Sequence, residues 1–195
     1  MKKQVRLFMF FTILALLFSG CGSTKDHEVT ETFPPENIAL SSQYEDVPLA
    51  YQNVLHAYSA MGYALLDLDW NGSEELLITD GAQIYAIYAI CEDGQMYKKL
   101  ELAGDILEIF LCADNRIYVH SADDGGACQY HYVYAMTDRI GNLPMELCVM
   151  NFDDRWFAGS NEKDVEESSE AEAKAMLDDL VFKAIEFTPF RNSEG

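Results

Sequence analysis

The sequence predicts an α+β domain: an antiparallel β-meander sheet with one helix before it and one helix after it. Apolar runs with the two-residue period of strands begin at Tyr63. Asx-Gly pairs such as Asp80-Gly81 and Asp93-Gly94 separate these runs at a spacing of roughly ten residues, which is typical of consecutive hairpins. A helical apolar period flanks the region on each side.

The two helices are predicted from capping residues and from one apolar face each. Asp46 can cap the first helix, Pro48 suits its first turn and Gly62 is a natural stop. The apolar face of this helix consists of Leu49, Val54, Leu55 and Tyr58. Ser168 or Ser169 can cap the second helix. Its apolar face consists of Ala173, Met176, Leu177 and Leu180. The final "KAIEFTPF" is either a short last strand or an ordered tail.

The first twenty residues are predicted to be a targeting segment and not part of the fold. "MKKQVR" is a positive n-region, and "LFMFFTILALLF" is an apolar stretch that is short for a bilayer span. The following "FSGC" ends at Cys21, and this leader resembles a bacterial lipoprotein signal. The resemblance implies that Cys21 carries the lipid and becomes the mature N-terminus. A plain signal peptide cut near Gly20 and an uncleaved anchor are the two alternatives.

These segments define the predicted organisation of the chain. Residues 1–20 are the lipoprotein signal peptide, and 21–45, with Pro34-Pro35, form a flexible tether. Residues 46–190 form a single α+β domain, and 191–195 are a tail. The predicted location is the extracytoplasmic face of the cell membrane, with the lipid as the attachment.

The charge of the chain argues against nucleic acid as a partner. The formal net charge is −20, and loss of residues 1–20 removes Lys2, Lys3 and Arg6 and no acid, which takes it to −23. Such a field repels nucleic acid and anionic membrane surfaces and favours cations. Attachment to the membrane is therefore expected through the lipid and not through the protein surface.

The remaining four cysteines leave two interpretations open. Cys91, Cys112, Cys128 and Cys148 lie in apolar or aromatic segments, without a Cys-x-x-Cys pair. In an exported protein they can form two disulfides. They can equally be buried thiols, because free cysteine is a common small core residue.

The stretch "DLDWNGSEE" is the main candidate for a functional site. Its alternate positions carry oxygen donors, and Gly72 at the sixth position permits the sharp turn that such a loop needs. Ca²⁺ prefers six to eight oxygen ligands, with several carboxylates among them. The predicted ligands are therefore Asp67, Asp69, Asn71, Ser73 (through its backbone) and Glu75. Leu68 and Trp70 are expected to face away from the ion.

The flanks of this loop distinguish it from an EF-hand. The twelfth position is Ile78 instead of a bidentate Glu, and the neighbouring segments have the period of strands. The loop resembles the calcium loops of FG-GAP/VCBS-type repeats, and that resemblance implies the same ligands. More loosely, the chain resembles small uncharacterised lipoproteins of Gram-positive bacteria, a likeness that implies no activity. The alternative is a solvated acidic turn that holds no ion.

Two other groups of residues are weaker candidates. His120 and His131 flank "SADDGGACQY" and would approach each other across a hairpin, where Asp123 and Asp124 could join them in a metal site, although strand histidines more often have no such role. The strand tyrosines either stack against a glycan or pack under the helices with their hydroxyls at the rim. These tyrosines are Tyr85, Tyr88, Tyr118, Tyr130, Tyr132 and Tyr134.

The leading functional interpretation is a lipid-anchored extracytoplasmic module with a structural calcium loop that binds an extracellular partner or glycan. The competing interpretation is a cell-surface hydrolase that uses carboxylates on the exposed sheet face. A third is an accessory or inhibitory lipoprotein. A cleft with two carboxyl groups of shifted pKa would favour the enzyme, and a flat or tyrosine-lined face would favour the binding module.

Overall fold

The computed structural model describes Tyr44 and residues 46–55, 57–58 and 61–190, all within one compact unit, Glu36–Gly195. This part of the chain forms two helices, α1 (Leu49–Leu55) and α2 (Glu170–Asp178), and eleven strands. The strands are β1 (Gly62–Leu66), β2 (Glu75–Thr79), β3 (Ile84–Ile90), β4 (Met96–Glu101), β5 (Ile106–Leu111), β6 (Ile117–Asp123), β7 (Cys128–Tyr134), β8 (Met145–Phe152), β9 (Arg155–Gly159), β10 (Glu166–Ser168) and β11 (Thr188–Pro189).

The strands form two antiparallel sheets, so the prediction of a single meander sheet was wrong. Sheet A has the strand order β11-β1-β2-β3-β4, and sheet B has the order β10-β9-β8-β7-β6-β5. Within each sheet, consecutive strands pair as the turn pattern predicts, and the break falls between β4 and β5. Because β2 is buried at every position, sheet A needs cover on both faces, and a second sheet supplies it on one of them.

Three apolar clusters show how the layers are arranged. The first contains Leu77 and Ile87 of sheet A together with Ile109 and Val119 of sheet B, so it fills the space between the sheets. A second cluster joins α1 to the other face of sheet A. The third joins Leu177 of α2 to the outer face of sheet B. The order of layers is therefore α1, sheet A, sheet B and α2.

Helix α1 is shorter than its pattern predicts and uses a different anchor. Val54 and Leu55 are buried as expected, but Leu49 is 62% exposed. Tyr51 is fully buried instead, and its hydroxyl donates to the carbonyl of Glu74 at 2.9 Å and accepts from the amide of Ile90 at 3.2 Å. These two bonds hold α1 against both strands of the β2–β3 hairpin, at its open end. Tyr44, at the end of the predicted tether, also packs in the cluster under α1.

Helix α2 begins at a predicted position, but one strand, β11, comes after it in the chain. Ser169 caps it, and Glu172 bonds back to Ser169 to complete a capping box. The chain then returns to sheet A, where β11 pairs with Gly62 and Tyr63 of β1. The ring of Phe187 lies against Gly62, where a Cβ would overlap it. The last segment is therefore a strand, and α2 precedes it.

The four cysteines of the domain are buried and none forms a disulfide in the described part of the chain. Burial raises the pKa of the Cys112 thiol to about 11 and that of the Cys148 thiol to about 12. Thiols with raised pKa values are poor nucleophiles, so these residues act as small core side chains.

Some predicted segments lie outside the described residues. These are the signal peptide at 1–20, Cys21, all of the tether except Tyr44, and the tail at 191–195. Among the helices that the structure describes, none has the length and apolar character needed to cross a bilayer.

The packing between the sheets can be tested at Leu77. This side chain is fully buried in the cluster between the sheets, so Leu77→Ala is expected to lower the free energy of unfolding by about 2–5 kcal/mol. Urea unfolding measures the change. The matched control is Leu107→Ala, which removes the same atoms from a side chain that is 49% exposed and should cost less than about 0.5 kcal/mol. Equal losses in the two variants would contradict the layer order.

Candidate metal centre

The acidic loop connects β1 to β2 at residues 67–74. Two of its residues have left-handed backbones, Trp70 with φ 62° and Gly72 with φ 87°. An added Cβ on Gly72 would meet nothing within 4 Å, so the need for glycine is conformational and not spatial. The turn predicted at the sixth position of the loop is therefore present.

Three carboxyl groups converge inside this loop. Asp67, Asp69 and Glu75 each offer an oxygen, and these oxygens lie within 4.8 Å of one another. Glu75 opens β2 and is 1% exposed, whereas the two aspartates are half-buried. The amide of Leu68 donates to Glu75 Oε2 at 2.8 Å, which holds the buried carboxyl group in the loop.

Backbone amides of the loop donate hydrogen bonds to some of these carboxylate oxygens and leave one oxygen without a donor. The amide of Gly72 donates to Asp67 Oδ2 at 3.0 Å, and the amide of Asn71 donates to Asp69 Oδ1 at 3.2 Å. Asp67 Oδ1 is buried and accepts no hydrogen bond. A buried acceptor without a donor costs roughly 1–3 kcal/mol, and a bound cation would remove that cost.

The electrostatics of the carboxylate cluster also favour a bound cation. Burial raises the pKa of Glu75 to about 7, and the neighbouring Asp69 and Asp67 add to the rise. The bond from the Leu68 amide opposes it. Three carboxylates this close repel one another when all are ionised. A cation between them would favour the ionised form of Glu75 and would turn the repulsion into binding energy.

The other two predicted ligands lie at the exposed side of the loop. Asn71 Nδ2 donates to Asp69 Oδ2 at 3.1 Å, and Asn71 Oδ1 accepts from the amide of Ser73 at 2.6 Å. A carbonyl oxygen has two lone pairs, so Asn71 Oδ1 keeps one for an ion. The structure thus gathers the three carboxylates directly and links Asn71 and Ser73 to them by hydrogen bonds.

The two apolar residues of the loop have different surroundings. Leu68 is 4% exposed and belongs to the cluster between the sheets. Trp70 is 79% exposed. Leu68 therefore fastens the loop to the core, whereas Trp70 projects into solvent.

Sequence reasoning missed Asn115 as part of this site. It lies in the turn between β5 and β6, where its φ is 69°. Asn115 is buried, its Nδ2 donates to the carbonyl of Asp67 at 3.3 Å, and its Oδ1 accepts from Lys183 Nζ at 2.5 Å. A turn of sheet B thereby supports the loop of sheet A. An Asp-Asn turn in the sequence does not indicate a contact with a residue as distant in the chain as Asp67.

The two strand histidines meet as the hairpin predicts. His120 and His131 are directly opposite in β6 and β7, with ring centroids 4.7 Å apart and an interplanar angle of 10°. The lone pairs of an imidazole lie in its ring plane, so parallel stacked rings do not direct them to one ion. His120 Nε2 bonds Gln129 Oε1 at 2.6 Å, and Tyr118 bonds His131 Nδ1 at 2.7 Å. This geometry favours a packed polar pair over a metal site.

The tyrosines are divided among the three apolar clusters. Tyr85 and Tyr88 pack on the α1 side of sheet A, and Tyr118 packs under α2. Tyr132 and Tyr134 adjoin the cluster between the sheets, and along β7 the ring of Tyr132 contacts those of Tyr130 and Tyr134. Part of the set thus packs under helices, and the rest packs between the sheets.

Comparison with known proteins identifies no relative. No protein-family model matches the chain, and no curated protein or solved structure is significantly similar to it. The fold and the site define a mostly β protein of two antiparallel sheets with a converging carboxylate loop.

The histidine pair makes a testable prediction about pH. Burial lowers the pKa of His131 to about 4, and the neighbouring His120 adds to the effect. Because a lowered histidine pKa disfavours the charged form in the fold, its contribution to stability is complete above about pH 6.5 and is lost as pH falls towards 4. An NMR titration of the ring protons should show a neutral His131 at pH 5.

The chain has four histidines, so variants can assign these signals. His120→Asn should raise the pKa of His131 by removal of the neighbouring charge, and His131→Gln should reduce the loss of stability between pH 6.5 and 4. A His131 that titrates at its ordinary pKa in the folded protein would contradict the burial that the structure shows.

Proposed function

We propose that this protein is a lipid-anchored extracytoplasmic module that holds a structural Ca²⁺ in the loop 67–75 and binds an extracellular partner or glycan. The observation that carries the calcium assignment is the convergence of Asp67, Asp69 and Glu75, together with a buried oxygen, Asp67 Oδ1, that accepts no hydrogen bond. A cation bound inside the loop would offset the repulsion between the carboxylates and would give the buried oxygen a partner.

The chemistry of the donors favours Ca²⁺ over other ions. The proposed ligands are carboxylate oxygens, the Asn71 amide oxygen and the Ser73 carbonyl, with no nitrogen or sulfur donor that a transition metal would prefer. Ca²⁺ accepts six to eight oxygens in an irregular arrangement, and waters complete its shell. Mg²⁺ demands shorter, near-octahedral coordination and keeps several of its waters, so it is less suited to a cage made mainly of protein oxygens.

The position of the loop supports a structural role for the ion. It joins two neighbouring strands of sheet A, Leu68 holds it to the core and Asn115 holds it to sheet B. An ion in the loop would thus stabilise both sheets, because anything that binds only the folded state adds to its stability.

The carboxyl groups elsewhere give less support to a hydrolase. Outside the loop, the described carboxyl groups with a shifted pKa are Asp80, Asp93 and Glu172, and backbone or side-chain hydrogen bonds lower each of them. A general acid needs a raised pKa instead. The one carboxyl group with a raised pKa in this part of the chain, Glu75, is buried among the proposed calcium ligands.

The lipid anchor is supported by the leader sequence. The positive n-region, the apolar stretch and the small residues before Cys21 stand in the order that a lipoprotein signal requires. A protein exported in this way meets calcium outside the cytoplasm, so the anchor and the proposed ion are consistent with each other.

Calcium binding can be tested by thermal unfolding of the purified protein in EDTA, Mg²⁺ and Ca²⁺. Calcium at a hundredfold excess over its dissociation constant should add about 2.7 kcal/mol to the free energy of unfolding. For a domain of this size that corresponds to a rise in Tm of roughly 5–10 °C. Mg²⁺ should give a much smaller rise.

The matched variants are Asp69→Asn and Glu74→Gln. Each removes one negative charge from the same loop, but Asp69 belongs to the carboxylate cluster and the side chain of Glu74 does not. Asp69→Asn should abolish most of the calcium shift, and Glu74→Gln should keep it. A wild-type Tm that is unchanged by calcium would refute the proposed site, as would an equal loss of the shift in the two variants.

Lipid anchoring can be tested at Cys21. In bacterial cells fed a labelled fatty acid, the wild-type chain should incorporate label and sediment with membranes, whereas Cys21→Ser should do neither. Cys91→Ser is the control, because it removes a buried thiol that the proposal leaves unmodified. Label in the Cys21→Ser variant would refute the assignment, and unlabelled, membrane-bound wild-type protein would indicate an uncleaved anchor.

A further inference from the structure

Strand β1 is paired along its whole length on one side only. Strand β2 pairs with every residue from Gly62 to Leu66. On the other side, β11 pairs with Gly62 and Tyr63 alone. Within the described part of the chain, the edge of β1 beyond Tyr63 therefore has no strand beside it.

The backbone of Leu65 is directed towards this open edge. The amide of Phe190 donates to the carbonyl of Met61 at 2.9 Å, so Met61 faces the side of β11. Alternate residues of a strand direct their N–H and C=O groups to the same edge, which places Tyr63 and Leu65 on that side too. Because β11 begins at Thr188, opposite Tyr63, none of the described strands lies beside the backbone groups of Leu65 on that side.

A groove of about 460 Å³ runs along this edge. Val47, Leu65 and Phe187 supply apolar surface to it, and Asp46 and Glu186 supply two carboxylates. No lysine, arginine or histidine is among the residues that line it. The groove therefore combines an open strand edge, an apolar floor and a negative rim.

The strand at this edge has no protective charge, proline or bulge of its own. Sheet proteins protect such edges with charged side chains, prolines or bulges. The open part of β1 consists of Ala64, Leu65 and Leu66, none of them charged, and its pairing with β2 is regular. Recognition by strand addition uses backbone hydrogen bonds for affinity and alternate side chains for specificity.

We propose that this groove binds an extended segment of another protein, which adds a strand beside Leu65 and places lysine or arginine side chains next to Asp46 and Glu186. The net charge of −20 would attract such a basic segment before contact. A second copy of this chain is a poor occupant, because two acidic grooves would face each other. This groove would be the binding site for the extracellular partner of the proposed function. Its binding of a partner does not depend on calcium in the loop 67–75.

A charge-reversal experiment tests the groove. The probe is a fluorescent peptide of alternating threonine and lysine, and its twin carries glutamate in place of lysine. Binding to the full-length purified protein is measured by fluorescence anisotropy. The double variant Asp46→Lys/Glu186→Lys should weaken binding of the lysine peptide about tenfold or more, and should bind the glutamate peptide instead. Asp46 and Glu186 are exposed, so the fold should be unaffected.

The control is Glu92→Lys/Glu166→Lys, which makes the same change in net charge at two exposed residues outside the groove. It should change the affinity less than about twofold if the site is local and not a general attraction to an acidic protein. Equal losses of affinity in the two double variants would overturn the proposal.

Hydrogen exchange at Leu65 tests the pairing itself. The amide should exchange rapidly in the free protein and slow down when the lysine peptide is added. A slow amide in the free monomer would show that this chain already covers its own edge. Protection that grows with protein concentration, together with a dimer in solution, would assign the edge to a second copy. Either result, or peptide binding without slower exchange, would overturn the proposal, whatever the calcium titration shows.

Discussion

The structure depends on the burial of β2 on both faces. Leu76 and Ile78 face the α1 side of sheet A, and Leu77 faces sheet B, all with no exposed surface. A strand buried on both sides needs a layer above it and a layer below it. This requirement brings α1 to one face of sheet A and sheet B to the other.

The same burial creates the electrostatic problem at the start of β2. Glu75 belongs to the buried strand, yet it lies beside Asp67 and Asp69. Desolvation and like charge both disfavour its ionised form, which is why the pKa of Glu75 is raised to about 7. A bound cation would reverse both effects at once. The proposed ion is thus connected to the core and not only to the surface loop that contains most of its ligands.

Strand β1 connects the two proposed sites. Its last residue, Leu66, leads directly into the acidic loop, and its open edge at Leu65 lines the groove. The closing strand β11 is too short to cover this edge, although it completes the sheet at Gly62 and Tyr63. In the proposed arrangement, the ion would stabilise the β1–β2 hairpin, and the edge of β1 at Leu65 would receive the partner strand.

Local features were determined by the sequence itself. The Asx-Gly turns, the cap at Ser169 and the spacing of Asp67, Asp69, Gly72 and Glu75 depend on neighbouring residues, whose interactions are governed by backbone geometry. The tertiary structure alone decided which strands share a sheet, that the last segment pairs with β1, and that Tyr51 and Asn115 support the hairpin and the loop. These contacts join residues that are far apart in the chain. The apolar pattern of a strand does not specify which strand it pairs with or what covers its buried face, because many pairings bury a similar apolar area.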